Sequence, residues 1–138
     1  MKIAIAGSMH FSPEMLEIGV RLTEKGHIVE LPAFTREYSR LVSREEMHSE
    51  SVQNKITHDL MRYYFDVIKN QDALLAVNKA HKGIEGYIGG NTFLEMGFAH
   101  VLGKRIYLLH HIPEMGYTDE LRAMNPIVLN GDLNLIAG

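Results

Sequence analysis

One carboxylate in this sequence stands where its neighbours do not favour a charge. From Thr92 to Gly103 the chain reads TFLEMGFAHVLG, and Glu95 is the only charged residue in it. Phe98, Ala99 and Leu102 follow Glu95 at i+3, i+4 and i+7, so on a helix they share its face. A segment apolar nearly all round reads as a buried helix, where an uncompensated carboxylate is costly. Asn91 is placed to cap this helix, which puts Glu95 in about its second turn. There the field of the helix N-terminus favours the ionised form and burial opposes it. An ionised, poorly hydrated carboxylate facing a pocket is a good covalent nucleophile. Glu95 could equally bond the amides of the preceding loop and only hold that loop in place. Spacing alone leaves both readings open.

The preceding loop is glycine-rich: Gly83, Gly86, Gly89 and Gly90 fall within residues 78–90. Glycines let a ligand approach the backbone, and the free amides at a helix start attract polar or anionic groups. The spacing is neither a dinucleotide fingerprint nor a phosphate-binding Walker loop, which would also need a lysine. Gly7-Ser8-Met9-His10 is a second turn of this kind, again with too few glycines for a dinucleotide. Eight histidines invite a metal reading, but none stands at the i, i+4 spacing of a helical zinc pair. His110 and His111 would point to opposite sides of a strand. No metal site is expected.

These residues need elements to position them. Lys2–Ala6 is a short apolar run ending at Gly7-Ser8, a first strand meeting a turn. Ser12-Pro13 gives an N-cap and a first-turn proline for a helix with Met15, Leu16, Gly19, Val20 and Leu22 on one face, stopped by Gly26. His27–Leu31 is a second strand, ended by Pro32. Residues 32–42 have no period and read as a loop. Ser43-Arg44-Glu45-Glu46 is a capping box opening a helical stretch to about Asn70, with a break near 49–51 and a stripe of Val52, Ile56, Leu60, Tyr63 and Val67. Asp72–Val77 is a continuous apolar run, the pattern of a strand covered on both faces. Arg105–Leu109 is a fourth strand, Thr118–Met124 a short helix, Pro126–Leu129 a fifth strand, and Asn130-Gly131-Asp132 a turn.

Strict alternation of strand and helix predicts an α/β fold with three layers: a doubly wound, parallel, five-stranded sheet in the flavodoxin-like order 2-1-3-4-5. The switch point then lies between strands one and three, with the ligand site outside their C-terminal ends. Gly7–Ser12, Asn78–Asn91 and the loop after Leu109 meet at that edge. We read residues 1–138 as a single domain, since this length buries one sizeable core.

Composition removes several function classes. There is no cysteine, so disulfides, thiol catalysis and thiolate metal sites are excluded. No apolar run approaches the roughly 20 residues of a membrane helix. The net charge is −3 and no basic stripe exists, so nucleic acid is not an expected partner. The expected setting is the cytoplasm, and the expected ligand a small polar molecule. Tyr63, Tyr64 and Phe65 in succession cannot all face one core, so part of that surface is expected to pack on a second copy as a homodimer or a higher homo-oligomer.

The residues now on the page match a known pattern. Ile3-Ala4-Ile5-Ala6-Gly7-Ser8 resembles the first strand and turn of the nucleoside 2-deoxyribosyltransferase superfamily, which includes 2′-deoxynucleoside 5′-phosphate N-hydrolase-like proteins. Asp72–Val77, then Gly90-Asn91-Thr92-Phe93-Leu94-Glu95-Met96-Gly97-Phe98-Ala99, resembles its strand, loop and helix with the catalytic glutamate. Lys104–Leu109 is similar to its next strand. The likeness covers most of the chain in order, and the Glu-x-Gly-x-Ala block is its most specific part. It implies cleavage or transfer at the N-glycosidic bond of a 2′-deoxynucleoside or its monophosphate, through a glycosyl ester on the glutamate and without a cofactor. By this resemblance Glu95 is the nucleophile, Gly7, Ser8, Met9 and His10 lie against the ligand, and Gly89, Gly90 and Asn91 stand beside its sugar or phosphate.

The chain departs from the pattern at the second acid. Members carry an aspartate eight residues ahead of the first Asp of strand three, and here that count lands on Tyr64. The nearest carboxylates are Asp59 and Asp66. That helix runs antiparallel to strand three, so earlier residues lie nearer the active edge, which makes Asp59 the better candidate; an exposed or locally paired helix aspartate is its other reading. A nucleotide-sensing module without turnover is the alternative function, separated from an enzyme by whether a second carboxylate reaches the pocket. A flavin-phosphate site is a third reading, for which Gly7–Ser12 is poor in Ser and Thr.

Overall fold

A computed structural model of the chain describes residues 1–33, 35–39 and 59–136. The predicted capping box at Ser43–Glu46, the break near 49–51 and the stripe residues Val52 and Ile56 lie outside the described residues. Among the described residues the strands are β1 (Lys2–Gly7), β2 (Ile28–Glu30), β3 (Ala73–Val77), β4 (Arg105–Leu108) and β5 (Ile127–Val128). They form one sheet in the order β2-β1-β3-β4-β5, every pairing parallel. The predicted architecture and strand order are therefore observed. The helices are α1 (Ser12–Glu24), α2 (Thr35–Tyr38), α3 (Leu60–Lys69), α4 (Gly90–Val101) and α5 (Thr118–Ala123). No helix of the described residues is long and apolar enough to cross a membrane.

Alternation along β1 and β3 builds a core on each face of the sheet. Ile3 and Ile5 of β1, with Leu75 and Val77 of β3, pack on Met15, Ile18 and Leu22 of α1. On the other face, Ala4 and Ala6 with Leu74 and Ala76 pack on Tyr64 and Ile68 of α3 and on Met96 and Ala99 of α4. All of β3 is buried; each of its leucines contributes about 1.5–3 kcal/mol by leaving water. The alanines on the α3–α4 side let those helices lie close to the sheet, which brings Glu95 to the strand ends.

Several local expectations are corrected. Ser12 does not cap α1: its hydroxyl donates to the Met9 carbonyl, and Ser8 instead caps a single 3-10 turn, Met9–Phe11, by accepting from the His10 N–H. The buried face of α1 uses Ile18 where Val20 was expected, and Val20 is exposed. The segment read as a loop after Pro32 contains α2, whose Thr35 and Tyr38 are buried. The inward stripe of α3 is Tyr64 and Ile68, one residue out of step with Tyr63 and Val67. Gly89, not Asn91, is the N-cap of α4. That helix is also only half covered, since Leu94 and Val101 are exposed.

Candidate active site

Three of the predicted site residues, Met9, Asn91 and Glu95, line a cleft of about 420 Å³ at the C-terminal strand ends, counted to its open mouth. Met9 after β1, Pro32 and Ala33 after β2, Tyr38 of α2, Leu60, Tyr63 and Tyr64 of α3, and Asn91 and Glu95 of α4 line it. The walls are thus aromatic and aliphatic, and Glu95 is the one carboxylate among these lining residues. It is 7% exposed, in the second turn of α4 as the sequence predicted. The start at Gly89 and Gly90 aims the first amides of a 12-residue helix toward the same edge.

Met9, Asn91 and Glu95 are therefore brought together. Gly7 ends β1 so close to its neighbours that a Cβ would stand 2.9 Å from Met15 Sδ and 3.2 Å from the Val77 carbonyl. Ser8 is used as the cap of the following turn. His10 turns aside: its ring lies tilted by 31° against His81 with centroids 4.5 Å apart, and His81 in turn meets Phe11 and Tyr87 edge-on. Gly89 lies against the Tyr87 ring.

Asp59 sits at the start of α3, in a left-handed backbone conformation with φ 47°. Its side chain is 55% exposed and pairs with Arg62 at 3.2 Å. It is next in sequence to the lining residue Leu60 but does not itself line the cleft. Asp66 is exposed on the outer side of α3.

Tyr64 occupies the position where the family pattern has its acid, and here it has a structural task. Ala4 pairs with Glu30 in the β1–β2 ladder. One step further sets Ile5 opposite Leu31, and a parallel ladder then asks residue 32 for an N–H to meet the Ile5 carbonyl. Residue 32 is proline and has none. The Tyr64 hydroxyl supplies the missing donor: it reaches the Ile5 carbonyl and stands 3.2 Å from the Glu30 carbonyl. Burial first, and then the nearby Glu95 carboxylate, hold this phenol well above the usual tyrosine range. Its hydroxyl proton is directed at backbone. Tyr64 lines the cleft where β1 and β2 end, with its hydroxyl bonded to backbone carbonyls.

Sequence reasoning passed over Asn78, which directly follows β3 and is fully buried. Its amide nitrogen reaches the Gly86, His110 and His111 carbonyls at 3.2, 3.2 and 3.0 Å. Its oxygen accepts from the His110 N–H at 2.8 Å. A polar residue closing the central apolar strand at the active edge was the available signal. Tyr38, Pro32 and Ala33 were also missed, because the segment after β2 shows no period to place it.

Among the described residues no group of three or more His, Asp or Glu side chains is placed to hold a metal ion. No family model and no curated protein matches the chain in sequence. Solved structures do. A 2-deoxyribosyltransferase from the psychrotolerant bacterium Bacillus psychrosaccharolyticus is 19% identical, over 79% of this chain and 72% of that one, with a TM-score of 0.53. The Clostridium botulinum CMP N-glycosidase BcmB is 20% identical, over 94% of this chain and 90% of that one, with a TM-score of 0.52. At these identities what is shared is the fold: the chain has the architecture also found in a 2-deoxyribosyltransferase and a CMP N-glycosidase.

Proposed function

We propose that this protein cleaves or transfers the N-glycosidic bond of a 2′-deoxynucleoside or its 5′-monophosphate, with Glu95 as nucleophile. The observation that carries the reading is Glu95 itself, a buried carboxylate in the second turn of α4, facing an aromatic cleft at the switch point of the sheet. The resemblance of its Glu-x-Gly-x-Ala block, and the fold shared with a deoxyribosyltransferase and an N-glycosidase, support it.

In this reading the base lies among Tyr38, Tyr63 and Met9, and the sugar between the Met9 turn and the start of α4. A Glu95 oxygen attacks the anomeric carbon as the bond to the base nitrogen breaks. The bonding pair leaves with the base, which takes up a proton. Water or a second base then attacks the same carbon and releases the Glu95 carboxylate. Asp59 is the proposed proton donor, and it would have to leave Arg62 to serve. The enzyme works in the cytoplasm without a cofactor or metal. Its partner is a second copy of itself, packed over the exposed side chains of Met61, Tyr63, Leu94 and Val101. A monomeric mass in sedimentation at micromolar concentration would contradict that dimer.

One observation favours the second reading, a nucleotide-binding module without turnover: Asp59 is paired and lies outside the cleft lining. Incubation with a panel of deoxynucleosides and monophosphates, read for free base, decides between them. Release of base from any member supports the enzyme; saturable binding with no release across the panel supports the module.

A further inference from the structure

The glycine loop between β3 and α4 is joined to the segment that follows β4 at two points. Asn78 makes the first. Its two N–H groups are shared among the Gly86, His110 and His111 carbonyls, so the side chain ties β3, the glycine loop and the segment after β4 into one knot. The fit leaves no room for a side chain at residue 86: Gly86 has φ +71°, and a Cβ there would stand 2.8 Å from the His111 carbonyl oxygen. Tyr117 makes the second point. Its hydroxyl donates to the Ile88 carbonyl, and its ring stacks on Phe93 of α4 at 4.2 Å and 15°. The segment carrying Tyr117 is itself fixed, since the Thr118 hydroxyl meets the Pro113 and Met115 carbonyls and the Met115 N–H. Ile88, at the second point, is buried. The next residues, Gly89 and Gly90, begin α4.

We infer that Asn78 and Tyr117 form a clamp that fixes the first turn of α4 against the strand edge and so sets where the Glu95 carboxylate stands. The rate consequence rests on the proposed nucleophilic role of Glu95; the clamp does not. Asn78 and Tyr117 touch no ligand in this reading and are positioning residues. Most of the cleft wall comes from Met9, Pro32, Ala33, Tyr38 and α3, none of which the clamp holds. Loosening it therefore displaces the nucleophile more than the base, which predicts a loss in kcat with KM little changed.

Two substitutions test this. Asn78→Asp keeps the shape and turns an acceptor toward three carbonyls, and Tyr117→Phe keeps the ring stack and removes only the hydroxyl. Amide hydrogen exchange is measured on the whole unligated protein, beside kcat and KM for base release. The expected result is exchange about tenfold faster over residues 86–94 with α1 and β3 unaffected. It is joined by a fall in kcat of up to about 10²-fold with KM within about threefold. Unchanged exchange over 86–94 in Tyr117→Phe, together with unchanged exchange in any Asn78→Asp protein that folds, overturns the clamp. Faster exchange with an unchanged kcat overturns its link to Glu95. Should the wild-type protein release no base, the proposed reaction fails, and the exchange result still decides the clamp.

Discussion

Replacing Tyr64 by phenylalanine separates a structural phenol from a catalytic one. The ring stays, so no cavity opens in the core between α3 and the sheet. What is lost is the donor to the Ile5 carbonyl, which Pro32 cannot replace because it has no N–H. A buried carbonyl left without a partner costs about 1–3 kcal/mol. At about 3 °C for each kcal/mol in a chain of this size, the melting temperature should fall by roughly 3–9 °C. Base release, compared well below the melting transition, should stay within about tenfold, against the 10²–10⁴-fold typical of a lost general acid. Thermal denaturation and product analysis on the same preparation give both numbers. A Tyr64→Phe protein as stable as the parent, with release reduced by about 10²-fold or more, would refute the ladder argument and make Tyr64 the acid.

Other perturbations follow from the same geometry. Asp59→Asn should leave the melting temperature nearly unchanged, since an exposed i, i+3 pair is worth about 0.3–0.5 kcal/mol and Asn tolerates the left-handed backbone. Base release should nevertheless fall by about 10²–10⁴-fold, and an unchanged rate removes Asp59 from the mechanism. Gly7→Ala should cost about 1–3 kcal/mol in urea unfolding, because the Val77 carbonyl 3.2 Å from the new methyl is backbone that must shift; an unchanged midpoint would contradict this. His27 and His110 are both held below the ordinary value of 6.5, chiefly by burial, then by the terminal ammonium at His27 and by Lys79 at His110. Folding thus favours the neutral rings, so their contribution is complete above about pH 6.5 and is lost as pH falls toward the folded-state values. Urea midpoints should drop on acidification through this range, and His27→Gln should shrink the drop; an equal drop in the variant would exclude His27 as a source.

The sheet was legible because its signals are redundant. Asp72–Val77 has no polar interruption past its first residue, and glycine or proline punctuates the ends of β1 and β2, so order and direction followed from alternation alone. The burial of Glu95 was legible for a similar reason: a lone charge in an apolar helix is conspicuous at any exact helix start. Caps and faces were harder. Ser12 and Ser8 are both competent caps, and the 3-10 turn at Met9–Phe11 decides between them only once Phe11 is buried. The stripe of α3 was misplaced by one residue because Tyr63 and Tyr64 are equally apolar in sequence. What selects Tyr64 is a carbonyl orphaned by Pro32, some thirty residues away. Asn78 was invisible to local pattern because its partners at 86, 110 and 111 meet only in the fold.

The proposed chemistry stands or falls on whether Glu95 acts as the nucleophile, and Glu95→Gln tests this with little change of shape. Melting temperature, ligand affinity and base release should be measured on the one variant. A nucleophilic Glu95 predicts a retained fold, affinity within about tenfold, or roughly 1.4 kcal/mol, and base release reduced far below that ratio, because a neutral amide cannot form the glycosyl ester. A Glu95→Gln variant that binds the same substrate and releases base at close to the parent rate would contradict it.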